Sequence, residues 1–136
     1  MTLIVAKMKR PELLIAYRNG RVVAIRPREP EPTPLGPIAR ETGFKVSRMC
    51  EVFHVSDRQF HRTFNDSLGI SPKDWLRRER MVQARQLLME GLPIKEAAGE
   101  LGFPSTKDFS REFQNFYEVS PTDFQRRQDA ARNRRL

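Results

Sequence analysis

The chain has 136 residues and a formal charge of +8, from 25 Lys and Arg against 17 Asp and Glu. Its length bounds it to one domain, or one domain with an appendage, and its charge favours a polyanionic partner, nucleic acid before an anionic membrane surface. The single cysteine, Cys50, excludes an internal disulfide framework and a cysteine-rich metal site, and it fits a reducing cytoplasm.

No apolar run approaches the roughly 20 residues of a membrane span. Leu3-Ile4-Val5-Ala6 is too short for a signal-peptide core. The expectation is a soluble, cytoplasmic protein.

Residues 1–26 are rich in aliphatic and β-branched types. Leu13-Leu14-Ile15-Ala16-Tyr17 and Val22-Val23-Ala24-Ile25 flank Asn19-Gly20. Asn-Gly between apolar runs predicts a hairpin, because a type I′ turn needs positive φ at both central positions. An isolated two-stranded hairpin is marginal in water, so it must pack on the rest of the chain or on another molecule. Residues 27–37, Pro27-Arg28-Glu29-Pro30-Glu31-Pro32-Thr33-Pro34-Leu35-Gly36-Pro37, read as a semi-rigid extended linker; a ligand for a proline-binding partner is the alternative.

From residue 38 to about 130 the periodicity is helical. Val46, Met49, Cys50 and Phe53 fall at i, i+3, i+4 and i+7, one apolar face. Phe60, Phe64 and the Thr63 methyl give the next helix its inward side. Ser71-Pro72 is a start signal, Ser as cap and Pro at the first helical position. Trp75, Leu76, Met81, Ala84, Leu87 and Leu88 then mark a long helix ending at Gly91. Ile94, Ala97, Ala98 and Leu101 restate the earlier face, Gly102 breaks it, and Ser105 opens a helix holding Phe109, Phe113 and Phe116. Ser120-Pro121 caps a last helix, whose tail from Arg126-Arg127 to Arg132-Asn133-Arg134-Arg135 is expected to fray.

One pattern occurs twice. Phe60, Arg62, Phe64 and Ser71-Pro72 map onto Phe109, Arg111, Phe113 and Ser120-Pro121 at an offset of 49 (109 − 60, 113 − 64, 120 − 71). Before the second turn the offset is 48, so that turn has one extra residue. Each half is a helix, a short turn and a helix. With the aromatics inward, Arg58, His61, Arg62 and Asn65 form one outward stripe, and Lys107, Ser110, Arg111 and Gln114 form its counterpart. Arg pairs bidentately with guanine O6 and N7, and Asn and Gln suit adenine, so both stripes fit base edges in a major groove. The helix from Pro72 to about Glu90 would be about 28 Å long. Successive major grooves on one face of DNA are about 34 Å apart, so two readers one turn apart, on an asymmetric site bound by a monomer, are expected.

These residues resemble the AraC/XylS family of bacterial transcription regulators over roughly residues 44–128. The most specific stretch is Ile94-Lys95-Glu96-Ala97-Ala98-Gly99-Glu100-Leu101-Gly102-Phe103, then Phe109-Ser110-Arg111-Glu112-Phe113, then Val119-Ser120-Pro121. The resemblance implies an all-α core of two helix-turn-helix subdomains joined by the long helix, here with a short N-terminal β-hairpin appendage. The chain then divides into the hairpin (1–26), the Pro-rich linker (27–37), the double helix-turn-helix domain (38–130) and a basic tail (131–136). The resemblance also implies sequence-specific binding to promoter double-stranded DNA, with activation through RNA polymerase. Carried over by position, Arg58, His61 and Arg62 would read from the first half, and Thr106, Lys107, Ser110 and Arg111 from the second. Phe60, Phe64, Phe109, Phe113, Trp75 and Phe124 match core positions.

The chain departs from the family pattern at several places. Asn65 and Gln114 stand where the family usually has Lys. Asp108 and Glu112 put acid on or beside the second reading helix. His54 and Glu118 stand at common Gly positions, and Cys50 at a small buried Ala. The first helix is shortened to about Ile38–Thr42, and the hairpin is expected to cover the surface this exposes. Residues 1–37 are too few for the usual effector barrel, so the chain resembles the small, stand-alone members, controlled by protein level or a partner.

No carboxylate pair, Gly-rich phosphate loop or Ser/His/Asp set points to an enzyme, and no cofactor or metal is implied. Cys50 and His54 lie at i, i+4, but the expectation is a core residue and a turn residue. The competing readings are a non-specific, architectural DNA binder, supported by the charge, and an interaction protein whose hairpin captures another regulator. A hairpin that adds a strand to a second copy would make a dimer.

Overall fold

A computed structural model describes residues 13–26, 28–29 and 31–134. The Leu3–Ala6 run, Pro27, Pro30 and the terminal Arg135-Leu136 lie outside them. Among the described residues are strands β1 (Leu14–Arg18), β2 (Arg21–Ile25) and β3 (Thr33–Pro34). The helices are α1 (Leu35–Glu41), α2 (Val46–Phe53), α3 (Asp57–Leu68), α4 (Pro72–Met89), α5 (Ile94–Glu100), α6 (Thr106–Tyr117) and α7 (Pro121–Arg134). The chain divides into two compact units, Met1–Leu76 and Arg77–Leu136, with the boundary inside α4.

In the first unit β1 and β2 pair antiparallel with Arg18 opposite Arg21, leaving Asn19 and Gly20 as a two-residue turn. Both have positive φ, 52° and 74°, the type I′ condition. The hairpin does not stand alone. Leu13, Ile15, Val22 and Ala24 belong to one buried cluster with Leu35, Ala39, Met49, Cys50, Phe53, Phe60, Phe64, Trp75 and Leu76. The expected cover over the helical core is therefore present, and its alternating residues supply the apolar face.

The proline-rich stretch differs from the spacer that its composition suggests. Thr33 and Pro34 pair with Ala24 and Val23 as a third, edge strand, a place where Pro is tolerated because no partner needs its missing N–H. Helix α1 starts at Leu35, earlier than the expected Ile38, and Leu35 is fully buried. Pro37 fits in its first turn, whose amides lack intrahelical acceptors in any case.

The repeat survives in three dimensions. Ser56 and Ser105 each accept a hydrogen bond from the backbone N–H three residues on, at 3.1 Å. Ser71 and Ser120 do the same for Asp74 and Asp123 at 3.1 Å, each followed by a fully buried Pro72 or Pro121. Each half has its own aromatic column. Phe60 meets Phe64 at 4.9 Å between ring centroids, and Phe64 meets Trp75 at 5.7 Å. In the second unit Phe109 meets Phe113 at 5.8 Å, and Phe113 meets Phe124 at 5.7 Å. Phe116 is different: it is 40% exposed and edges onto Tyr117.

The second unit is tied by side chains that donate to backbone carbonyls far along the chain. Arg80 Nε donates to the Leu101 carbonyl at 3.0 Å, and its guanidinium lies 3.6 Å from the Phe103 ring centroid. Burial pulls Arg80 below the ordinary arginine range, and the nearby Glu112 charge works against that shift. Tyr117 Oη donates to the Met81 carbonyl, and Gln125 Nε2 to the Leu92 carbonyl. Arg132 donates to the Met89 carbonyl. The tail expected to fray is thus helical through Arg134, and Arg132 ties that end to the Met89 carbonyl.

Two turns carry a legible flaw. His54 (φ 54°) occupies the left-handed conformation that Gly102 (φ 75°) adopts in the other half, and Glu118 (φ 62°) that of Gly69 (φ 70°). Side chains in that region lose about 1–2 kcal/mol, of which glycine's extra chain entropy cancels about 0.5–1. Both side chains are exposed, so no packing is lost on removing them. His54→Gly and Glu118→Gly are each expected to raise stability by about 0.5–1 kcal/mol, measured by urea denaturation. Gly69→Ala should lower it.

Candidate nucleic-acid interface

Helices α3 and α6 are each 12 residues long, about 18 Å of rod. Each buries one side. Phe60, Thr63 and Phe64 of α3, and Phe109 and Phe113 of α6, face their cores. The opposite sides present the stripes expected from the spacing. Arg58, His61, Arg62 and Asn65 are exposed on α3. Thr106, Lys107, Arg111 and Gln114 are exposed on α6, and Ser110 is half-buried. Every predicted reading residue therefore lies on its unit's solvent side, and the residues of each half lie together on one helix.

The turns that aim these helices follow from local chemistry. Helix α2 ends when His54 turns left-handed, and Ser56 then caps α3. Helix α5 ends at Leu101, Gly102 turns the chain, and Ser105 caps α6. A cap that fixes the first turn also fixes the direction of the side chains it launches.

The two stripes are not equivalent. On α3, His61 Nδ1 lies 3.0 Å from the Asp57 carbonyl. When that nitrogen donates, Nε2 is left as the acceptor of the neutral ring. On α6, Asp108 Oδ1 accepts from Arg111 Nη2 at 2.9 Å, while Asp108 Oδ2 accepts from the Ser105 hydroxyl at 2.9 Å. One carboxylate thus joins the cap to Arg111. The residue three before Arg62 is Gln59, which has no charge. The other expected acid behaves differently: Glu112 is half-buried and its field acts on Arg80. The Asp108–Arg111 pair was legible as an i, i+3 spacing; the sequence reading recognised the acid but not its partner.

Cys50 is buried, and burial together with Asp57 pushes its thiol up to about 12, so at neutral pH it is a small apolar side chain. Among the described residues no group of three or more His, Cys, Asp or Glu could hold a metal ion. No helix among them is long and apolar enough to cross a membrane.

Residues 49–127 match the family model described as a helix-turn-helix domain. The transcriptional regulatory protein HptR of Staphylococcus aureus is 36% identical over 84 residues, 62% of this chain and 33% of that protein. The chain thus spans about a third of the curated relatives it matches. Among solved structures, the DNA-binding domain of AdpA, a global transcriptional factor crystallised with a target DNA, is similar with a TM-score of 0.61 and 29% identity. That match covers 71% of this chain and 91% of that one. A DNA-binding transcriptional dual regulator from Escherichia coli K-12 shares the fold, with a TM-score of 0.61, 23% identity, and coverage of 71% and 89%. The doubled helix-turn-helix, its capped and outward-striped second helices and these matches agree: the chain belongs to the AraC-type helix-turn-helix family of DNA-binding transcription regulators.

Proposed function

We propose that this chain reads specific sequences in double-stranded DNA, using α3 and α6 as recognition helices in two major-groove boxes of an asymmetric promoter site. The observation that supports this most is the duplicated stripe, with Arg62 and Arg111 at the same register on helices whose opposite faces are aromatic core. Arg58, His61, Arg62 and Asn65 would contact the first box; Thr106, Lys107, Ser110, Arg111 and Gln114 the second. Arginines would supply guanine recognition, and Asn65 and Gln114 adenine recognition. Lys107 suits a phosphate, which positions the helix without reading sequence. The protein binds as a monomer, since the two readers belong to one chain, and activates transcription at a cytoplasmic, nucleoid-bound promoter through RNA polymerase. The N-terminal segment belongs to the same proposal, with the hairpin, the Thr33–Pro34 edge strand and the start of α1 serving to complete the first unit's core.

The test is selection from a random DNA pool, followed by gel shift against excess random competitor. Two enriched boxes of different sequence, about one turn apart, with binding that survives competitor, are the expected result. Binding that competitor removes, with no enriched motif, would leave a non-specific binder held by charge alone. Lys107→Ala should weaken binding to all sequences alike and flatten the salt dependence by about one unit of log–log slope.

A further inference from the structure

We propose that Asp108 is a positioning residue that sets the sequence preference of the second recognition helix by holding Arg111. This rests on the base-reading role proposed for α6. The carboxylate sits in the first turn of α6, fixed by its own backbone N–H on Ser105 Oγ and by the Ser105 hydroxyl on Oδ2. Its other oxygen takes Arg111 Nη2 at 2.9 Å. A long arginine otherwise samples many rotamers and suits a phosphate as well as a base. Held at one nitrogen, the guanidinium keeps its remaining N–H donors in one orientation, the condition for a bidentate guanine contact.

Charge adds the second half of the effect. Asp108 is one-third exposed and Arg111 two-thirds exposed, so the pair faces solvent on the reading side. A carboxylate there repels phosphates and cancels the arginine's non-specific pull. The second helix therefore gives up affinity for random DNA and keeps discrimination. The first helix has Gln59 at the matching place, so Arg62 has no such acid three residues before it, and its preference is set without one.

The test measures base preference, which a merely stabilising role would not move. Full-length parent, Asp108→Asn, Ser105→Ala and Gln59→Asp chains are carried through the same random-pool selection and titrated on selected and random DNA. Asparagine keeps an acceptor for the Ser105 hydroxyl but removes the charge, and circular dichroism checks that α6 is retained. For Asp108→Asn the expected result is tighter binding to random DNA, a salt slope steeper by about one phosphate equivalent, and a guanine preference at the second box weakened about tenfold. The first box should be unchanged. Ser105→Ala removes both bonds that fix the carboxylate but leaves its charge, so it should lower the melting temperature and blunt the preference less than Asp108→Asn does, with the parent's salt slope. Gln59→Asp should sharpen the first box and weaken random binding.

An Asp108→Asn effect of equal size on selected and random DNA, with the motif intact, would overturn the proposal and leave the acid a simple repulsive charge. So would a preference lost in Ser105→Ala but kept in Asp108→Asn. A parent chain that enriches no second box fails at an earlier step, since it removes the reading role of α6 itself.

Discussion

Phe113→Ala is expected to destabilise the second unit by about 3–5 kcal/mol. Phe113 is fully buried and touches Phe109, Tyr117 and Phe124, with ring centroids 5.8, 4.8 and 5.7 Å away. Truncation removes the ring common to all three contacts. It also loosens Tyr117, whose hydroxyl anchors α6 to the Met81 carbonyl. A unit of this size, residues 77–136, has little stability in reserve, so the loss is comparable with the whole. The mirror change, Phe64→Ala, removes an equivalent ring between Phe60 and Trp75. It is expected to be less disruptive, because the first unit also buries Leu13, Ile15, Val22 and Ala24 of the hairpin and Leu35 and Ala39 of α1. Urea titration followed by far-ultraviolet circular dichroism measures both. Equal losses would mean that the hairpin contributes little to the first core.

Most of the fold was legible because its signals are local and doubled. The period of Phe60 and Phe64, the Ser-Pro starts and the glycine stops each specify an element on their own, and the second copy restates them. Asn19-Gly20 likewise determines its turn through the φ signs it permits. What was not legible depends on tertiary partners. Nothing local says that Thr33-Pro34 finds an open edge on β2, or that Leu35 drops into a core built by α2 and α3. A proline-dense composition conceals both. The end of α7 was missed for the same reason, since Arg132 reads as a solvated charge until the Met89 carbonyl is seen beside it. In the candidate site the residues were legible, and so was the i, i+3 spacing of Asp108 and Arg111; but Arg62 and Arg111 look alike in sequence, and only the side-chain geometry shows Arg111 tied to Asp108 and that carboxylate in turn to Ser105.

Arg62→Ala is expected to weaken binding to the selected site by about 1–3 kcal/mol, roughly 5- to 150-fold. The loss should fall on that site and barely on random DNA, because a base contact carries sequence information and a phosphate contact does not. The affected positions should be guanines of the first box, where any base would then be accepted. Arg111→Ala should relax the second box and cost at least as much at the selected site, since it also leaves the Asp108 carboxylate facing DNA without its cation. Asp108→Asn placed in the Arg111→Ala background should recover that additional part of the loss. The two arginines share no partner, Asp108 being specific to Arg111, so the double variant Arg62→Ala/Arg111→Ala should lose the sum of the single losses to within about 0.5 kcal/mol. A loss of that size would bring the selected site close to the affinity of random sequence. Gel shifts of the parent and these four variants on selected and random duplexes at one salt concentration decide this. If Arg111→Ala leaves the second box intact while Arg62→Ala abolishes the first, α6 positions the protein on the backbone and α3 alone reads sequence. The acid beside Arg111 would then have moderated a phosphate clamp, and the duplicated helix would have kept its place on DNA while losing its code.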